Sequence, residues 1–71
     1  MNNLKIENMV PIWQKYALTL SEACEYFNIG EKKMRQIIQE QDTADFILHN
    51  GVKVLIKRKL FEQFIDATSG I

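Results

Sequence analysis

Residues 19–41 read TLSEACEYFNIGEKKMRQIIQEQ, and their pattern sets the fold. Thr19-Leu20-Ser21-Glu22 has the form of a capping box. The Thr19 hydroxyl can accept from the backbone N–H of Glu22, while the Glu22 carboxylate reaches back to the N–H of Thr19. A helix is therefore expected to start at Leu20. Leu20, Ala23, Cys24 and Phe27 follow at the spacing of one apolar helical face. Asn28-Ile29-Gly30 ends that helix, with Gly30 expected to supply the permissive backbone conformation. A second helix is expected from about Glu31 to Gln41, with Met34, Ile37 and Ile38 turned inward. At about 100° per residue, Lys32, Arg35, Gln36 and Gln39 then lie on the opposite face. Two helices joined by a three-residue turn containing glycine form the helix-turn-helix pattern.

Downstream, Phe46-Ile47-Leu48-His49 and Val52-Lys53-Val54-Leu55-Ile56 flank Asn50-Gly51. Asn-Gly between two such runs predicts a β-hairpin whose tip is a type I′ turn at Asn50-Gly51. His49 and Lys53 would project near that tip. A hairpin directly after a helix-turn-helix is a wing, although it would also serve as a plain hairpin closing the core with Phe46, Leu48, Val52 and Val54. A third helix is expected from about Lys57 to Thr68, with Leu60, Phe61, Phe64 and Ile65 inward. Its first turn, Lys57-Arg58-Lys59, places cations where they oppose the helix dipole by about 0.3–1 kcal/mol each. A phosphate backbone lying there would offset that cost. The alternative is a tolerated surface run at a strand-to-helix junction.

Upstream, residues 1–10 show no clear period and are expected to form a flexible N-terminal arm, leaving 11–71 as the domain. Trp13 and Tyr16 are either a ligand-stacking pair or an apolar lid on the core. Tyr16-Ala17-Leu18 is expected to add a short strand. The fold class is thus α+β, a small winged helix built from a helix-turn-helix, a two-stranded wing and a C-terminal helix.

Seventy-one residues make one small domain with little room for a buried catalytic pocket. Apolar residues at 46% mark a globular chain. No run of about 18 apolar residues predicts a membrane helix, and the start lacks the form of a signal peptide. A cytoplasmic location is expected. Cys24 is the single cysteine and His49 the single histidine, so neither an internal disulfide nor a thiolate metal cluster can form. Cys24 lies on an apolar stripe and is expected to be a packed thiol rather than half of a Cys24–His49 nucleophile pair. No phosphate-binding glycine loop or catalytic triad spacing is present. No enzyme activity, cofactor, metal or small-molecule ligand is expected.

Nine basic residues balance nine acidic ones, which is unlike a uniformly basic nucleic-acid binder. The charges are nevertheless segregated. Lys32, Lys33 and Arg35 cluster in the second helix, and Lys53, Lys57, Arg58 and Lys59 run from the hairpin into the third. The second helix of a helix-turn-helix enters the major groove, and its outer face here offers two cations and two amides suited to phosphates, guanine and adenine. An ordinary solvated helix face is the plainer reading of the same residues.

Residues 16–38, YALTLSEACEYFNIGEKKMRQII, resemble the T-(I/L)-x-E-A-x-x-x-(F/L)-x-I-x-x-x-x-(I/L)-R motif of the excisionase/MerR-like helix-turn-helix superfamily. Thr19, Glu22, Ala23, Phe27, Ile29, Met34 and Arg35 occupy its positions. Together with Pro11-Ile12-Trp13 and the Ile56-Lys57-Arg58-Lys59-x-Phe61-Glu62 block, the chain resembles excisionases of conjugative transposons from Gram-positive bacteria. That resemblance covers residues 10–68. It implies an architectural recombination directionality factor that binds and bends double-stranded DNA at the ends of a mobile element and assists a tyrosine-family integrase. Carried onto this sequence, it implies a recognition helix using Lys32, Lys33, Arg35, Gln36 and Gln39. It also implies a wing using His49, Asn50 and Lys53, and phosphate contacts from Lys57 and Arg58. Arg35-Gln36 stands where relatives often carry two successive basic residues, which implies a different base preference. A small winged-helix transcriptional regulator, or an adaptor reusing the fold for protein contacts, would carry the same framework.

Overall fold

A computed structural model of the chain describes residues 10–70. The arm expected over residues 1–10 lies outside the described residues except for Val10. A 3₁₀ turn, Ile12–Gln14, leads into β1, Ala17–Leu18. Helices α1, Leu20–Phe27, and α2, Glu31–Glu40, follow. The hairpin β2, Ile47–Asn50, and β3, Lys53–Lys57, then runs directly into α3, Arg58–Asp66. The three strands form one antiparallel sheet in the order β1-β3-β2. This is the expected α+β winged-helix arrangement, with β1 added to the hairpin as a third strand.

Both halves of the expected capping box are formed. Glu22 N–H donates to the Thr19 hydroxyl oxygen at 3.1 Å, and Thr19 N–H donates to the Glu22 carboxylate at 3.0 Å. The turn between α1 and α2 differs from expectation in one residue. Asn28, not Gly30, takes the left-handed conformation, at φ 57° and ψ 45°. Gly30 is extended at φ −62° and caps the start of α2. Asparagine tolerates the left-handed region at a helix C-terminus, and Ile29 N–H closes the end by donating to the Cys24 carbonyl at 3.0 Å.

The hairpin tip is shifted by one residue from its expected place. Asn50 pairs with Lys53 across the ladder, so the two-residue loop is Gly51-Val52. Gly51 has φ 63°, and Asn28 is the one non-glycine residue with positive φ among those described. A positive φ at the first loop position only is the type II′ pattern rather than type I′. Burial fixes this register. Ile47 lies opposite Ile56, which in turn pairs with Leu18 of β1, and all three are buried. Sliding the strands to place Asn50-Gly51 at the tip would set Ile56 opposite Asp45 and break that apolar row.

Each element sends at least one side chain inward. Leu18, Ala23, Met34, Ile37, Phe46, Ile47, Ile56 and Phe61 form the buried core. Val52 is not part of it and stands wholly exposed, while Leu48 is only partly buried. Phe61 is the centre of an aromatic cluster, with ring centroids 4.7 Å from Phe27 and 4.9 Å from Phe46 in edge-on geometry. Such pairs add about 0.5–1.5 kcal/mol beyond the area they bury. The expected lid is a smaller one. Ile12 packs against the core, but Trp13 is 59% and Tyr16 73% exposed. The three-residue turn Ile12–Gln14 turns Ile12 inward and leaves Trp13 in solvent, and Tyr16 lies beyond that turn, just before β1. Among the described residues, no helix is long and apolar enough to cross a membrane.

Candidate nucleic-acid interface

The outer face of α2 carries Lys32, Arg35, Gln36 and Gln39, all exposed as the period required. Two of them are tied to acids of their own helix. Arg35 donates from Nε and Nη2 to the Glu31 carboxylate at 3.0 and 2.7 Å, and Gln36 donates to Glu40 at 3.2 Å. Exposed i,i+4 pairs of this kind contribute only about 0.3–0.5 kcal/mol. Arg35 is therefore held in an ordered position yet is released at small cost to a stronger acceptor. Lys33 stands apart from these. It is half-buried on the flank of α2 toward α3, beside Ile37 and Phe64.

Between α2 and the hairpin lies a cleft of about 560 Å³ lined by Leu20, Arg35, Ile38, Gln39, Val52 and Val54. Arg35 and Gln39 of α2 are its polar lining residues, and the other four are apolar. His49, Asn50 and Lys53 are all exposed around the hairpin tip, so the structure groups the three expected wing residues. Their faces differ, however. His49 pairs with Val54 and shares the sheet face of Ile47 and Ile56, whereas Asn50 and Lys53 share the opposite face.

The cations after the hairpin occupy a different region. From Val52 to Lys57 the strand runs about 17 Å at its usual rise, and Lys57 pairs with Ala17 at the base of the sheet. Lys57, Arg58 and Lys59 line a small depression with Tyr16 and Leu60, away from the α2–hairpin cleft. Helix α3 starts at Arg58 with no acidic residue in its first turn and no side-chain cap, so the dipole conflict read from the sequence is present.

Arg58 has internal work that the sequence reading missed. Its side chain is 13% exposed. Nε donates to the Lys15 carbonyl at 2.9 Å, Nη1 approaches Glu62 at 3.3 Å, and the guanidinium lies 5.9 Å from the Tyr26 ring centroid. Tyr26 Oη also donates to Glu62, at 2.8 Å. Arg58 thus ties the segment before β1 to α1 and α3. The i,i+4 spacing to Glu62 was the sequence signal for one of these contacts; the others join distant segments.

Burial, and then the Glu31 charge, push the Cys24 thiol up from its ordinary value. Cys24 is partly buried and packs against the core, on α1, whereas His49 lies on the wing.

A family model described as the excisionase from transposon Tn916 matches residues 1–71. The chain is also similar to the excisionase from transposon Tn916 of Streptococcus agalactiae serotype V. Identity is 45% over 62 residues, covering 87% of this chain and 92% of the relative. The chain therefore belongs to the family of the excisionase from transposon Tn916.

Proposed function

We propose that the protein binds double-stranded DNA at the ends of a mobile element, bends it, and so promotes excision by a tyrosine-family integrase in the bacterial cytoplasm. The observation that carries this reading is the cleft between the polar face of α2 and the hairpin, in a chain of excisionase family. In this arrangement α2 lies in the major groove. Lys32, Arg35, Gln36 and Gln39 reach base edges and phosphates, with Lys33 on a flanking phosphate. The hairpin follows the adjoining strand, with His49, Asn50 and Lys53 around its tip. Lys57 and Lys59 hold phosphate farther along a bent duplex, while Arg58 acts chiefly by positioning the segment that precedes β1. About three to six phosphate contacts give a log–log salt slope of about −3 to −5.

Bond breaking and joining belong to the integrase, and this protein contributes DNA geometry. An excision assay with purified integrase, with and without the protein, tests the role. Excision that rises severalfold on adding the protein is expected. Equal excision by the integrase alone would overturn it.

A further inference from the structure

Glu31 is the first residue of α2, and an acid at that position stabilises a helix start through the dipole. The structure gives it a second contact. One carboxylate oxygen, Oε2, accepts from both Nε and Nη2 of Arg35, at 3.0 and 2.7 Å. A guanidinium carries five N–H donors in a rigid fork. Glu31 occupies the side of that fork, and among the described residues nothing hydrogen-bonds to Nη1. The end of the fork, Nη1 with the second N–H of Nη2, is therefore open. The side chains are 65% exposed for Arg35 and 64% for Glu31, so a ligand can reach that open end.

We propose that Glu31 is a positioning residue that aims the end of the Arg35 fork at a guanine and withholds it from phosphate. The proposal rests on the DNA-binding reading above. Two parallel N–H groups match the O6 and N7 acceptors of guanine. Discrimination follows from charge. An arginine paired with a carboxylate has little net charge left, so it gains little from a phosphate and releases few counterions there. A phosphate brought up to the pair also meets the Glu31 carboxylate. The edge of guanine carries no net charge, so its two hydrogen bonds remain open to the paired arginine. In free solution an exposed pair of this kind is weak. Exclusion of water on DNA strengthens it, because the attraction between the two charges grows as the local dielectric falls. The same logic suits a chain whose nine basic and nine acidic residues balance, since attraction to phosphate carries no sequence information.

Mobility-shift titrations on an element-end duplex and on a scrambled duplex of equal length test the proposal, read as the ratio of the two affinities. E31A removes the carboxylate and is expected to lower that ratio about tenfold. It does so by tighter binding to the scrambled duplex, with a salt slope steeper by about one there as Arg35 turns to phosphate. E31D keeps the charge and the acid of the first helical turn but draws the carboxylate back by one methylene. It is expected to lower the ratio severalfold, which a role in the helix dipole alone would not do. In an R35A background, E31A is expected to leave the ratio unchanged while binding to both duplexes tightens. Replacing the guanines of the end duplex one at a time by 7-deazaguanine, which lacks the N7 acceptor, is expected to weaken the parent about tenfold at one position, and R35A by less than about twofold there. Thermal melting should show every variant folded at the assay temperature. A ratio within about twofold of the parent for E31A or E31D would overturn the proposal. A ratio that still falls with E31A in the R35A background would also overturn it, by making Glu31 a reader of bases in its own right. Failure of the unsubstituted protein to prefer the end duplex would remove the DNA-binding reading itself, an outcome distinct from an unchanged ratio for E31A.

Discussion

Asn28 and Glu22 show how single residues set the helix-turn-helix. Asn28 is the left-handed corner between α1 and α2, a conformation that costs most residues about 1–2 kcal/mol and that asparagine and glycine adopt more readily. Asn28→Ala is expected to lower unfolding stability by about that amount in urea titrations, while Asn28→Gly stays near the parent. The helix end was legible from the residues that stop the apolar period. The residue bearing positive φ was not, because glycine and asparagine both qualify and only the closing hydrogen bonds decide between them. Burial acts to raise the Glu22 pKa, but the Lys15 and Thr19 hydrogen bonds outweigh it and hold the carboxyl below its ordinary value of 4.5. A depressed folded pKa contributes stability above the unfolded value and loses it as pH falls through the folded one. Glu22→Gln should therefore flatten the acid limb of the stability profile below about pH 4.5, with little change in its slope near neutrality. An acid limb identical to the parent's would contradict the capping role.

At the scale of elements, α1 and α2 were read nearly to the residue, α3 starts one residue later and ends two residues earlier than the expected Lys57–Thr68, and the hairpin was displaced by one. Periodicity and the capping box locate a helix from neighbours in sequence. A hairpin register depends on partners far along the chain, here Leu18 against Ile56 and Ile56 against Ile47. The Asn-Gly signal named the correct turn region but could not include that constraint. The basic run at the start of α3 divides similarly. Lys57 and Lys59 are surface cations at the base of the sheet, whereas Arg58 bridges Lys15, Tyr26 and Glu62. Charge-assisted hydrogen bonds from a largely enclosed guanidinium contribute about 1.5–3 kcal/mol. Arg58→Ala is thus expected to lower the melting temperature with little effect on the salt slope of DNA binding, and Lys57→Ala to do the reverse. An unchanged melting temperature for Arg58→Ala would show that these contacts add little in solution.

Over the whole molecule, a neutral chain presents its cations and amides in separate places. The α2 face and the hairpin tip flank one cleft, and the Lys57–Lys59 cluster lies at the other end of the sheet. The sequence pattern supplied the residues of each cluster but not the distance between the clusters. Their separation follows from the length of β3 and from the pairing of Lys57 with Ala17. In the proposed complex, a duplex that touches both regions follows the protein around its side. The most direct test is a mobility-shift comparison of the parent and Arg35→Ala on an element-end duplex and on a scrambled duplex of equal length. Preferential binding of the parent to the end duplex is expected, with a loss of about 1–3 kcal/mol in that preference for a normally folded Arg35→Ala. Equal binding to both duplexes, unaltered by Arg35→Ala, would contradict that expectation.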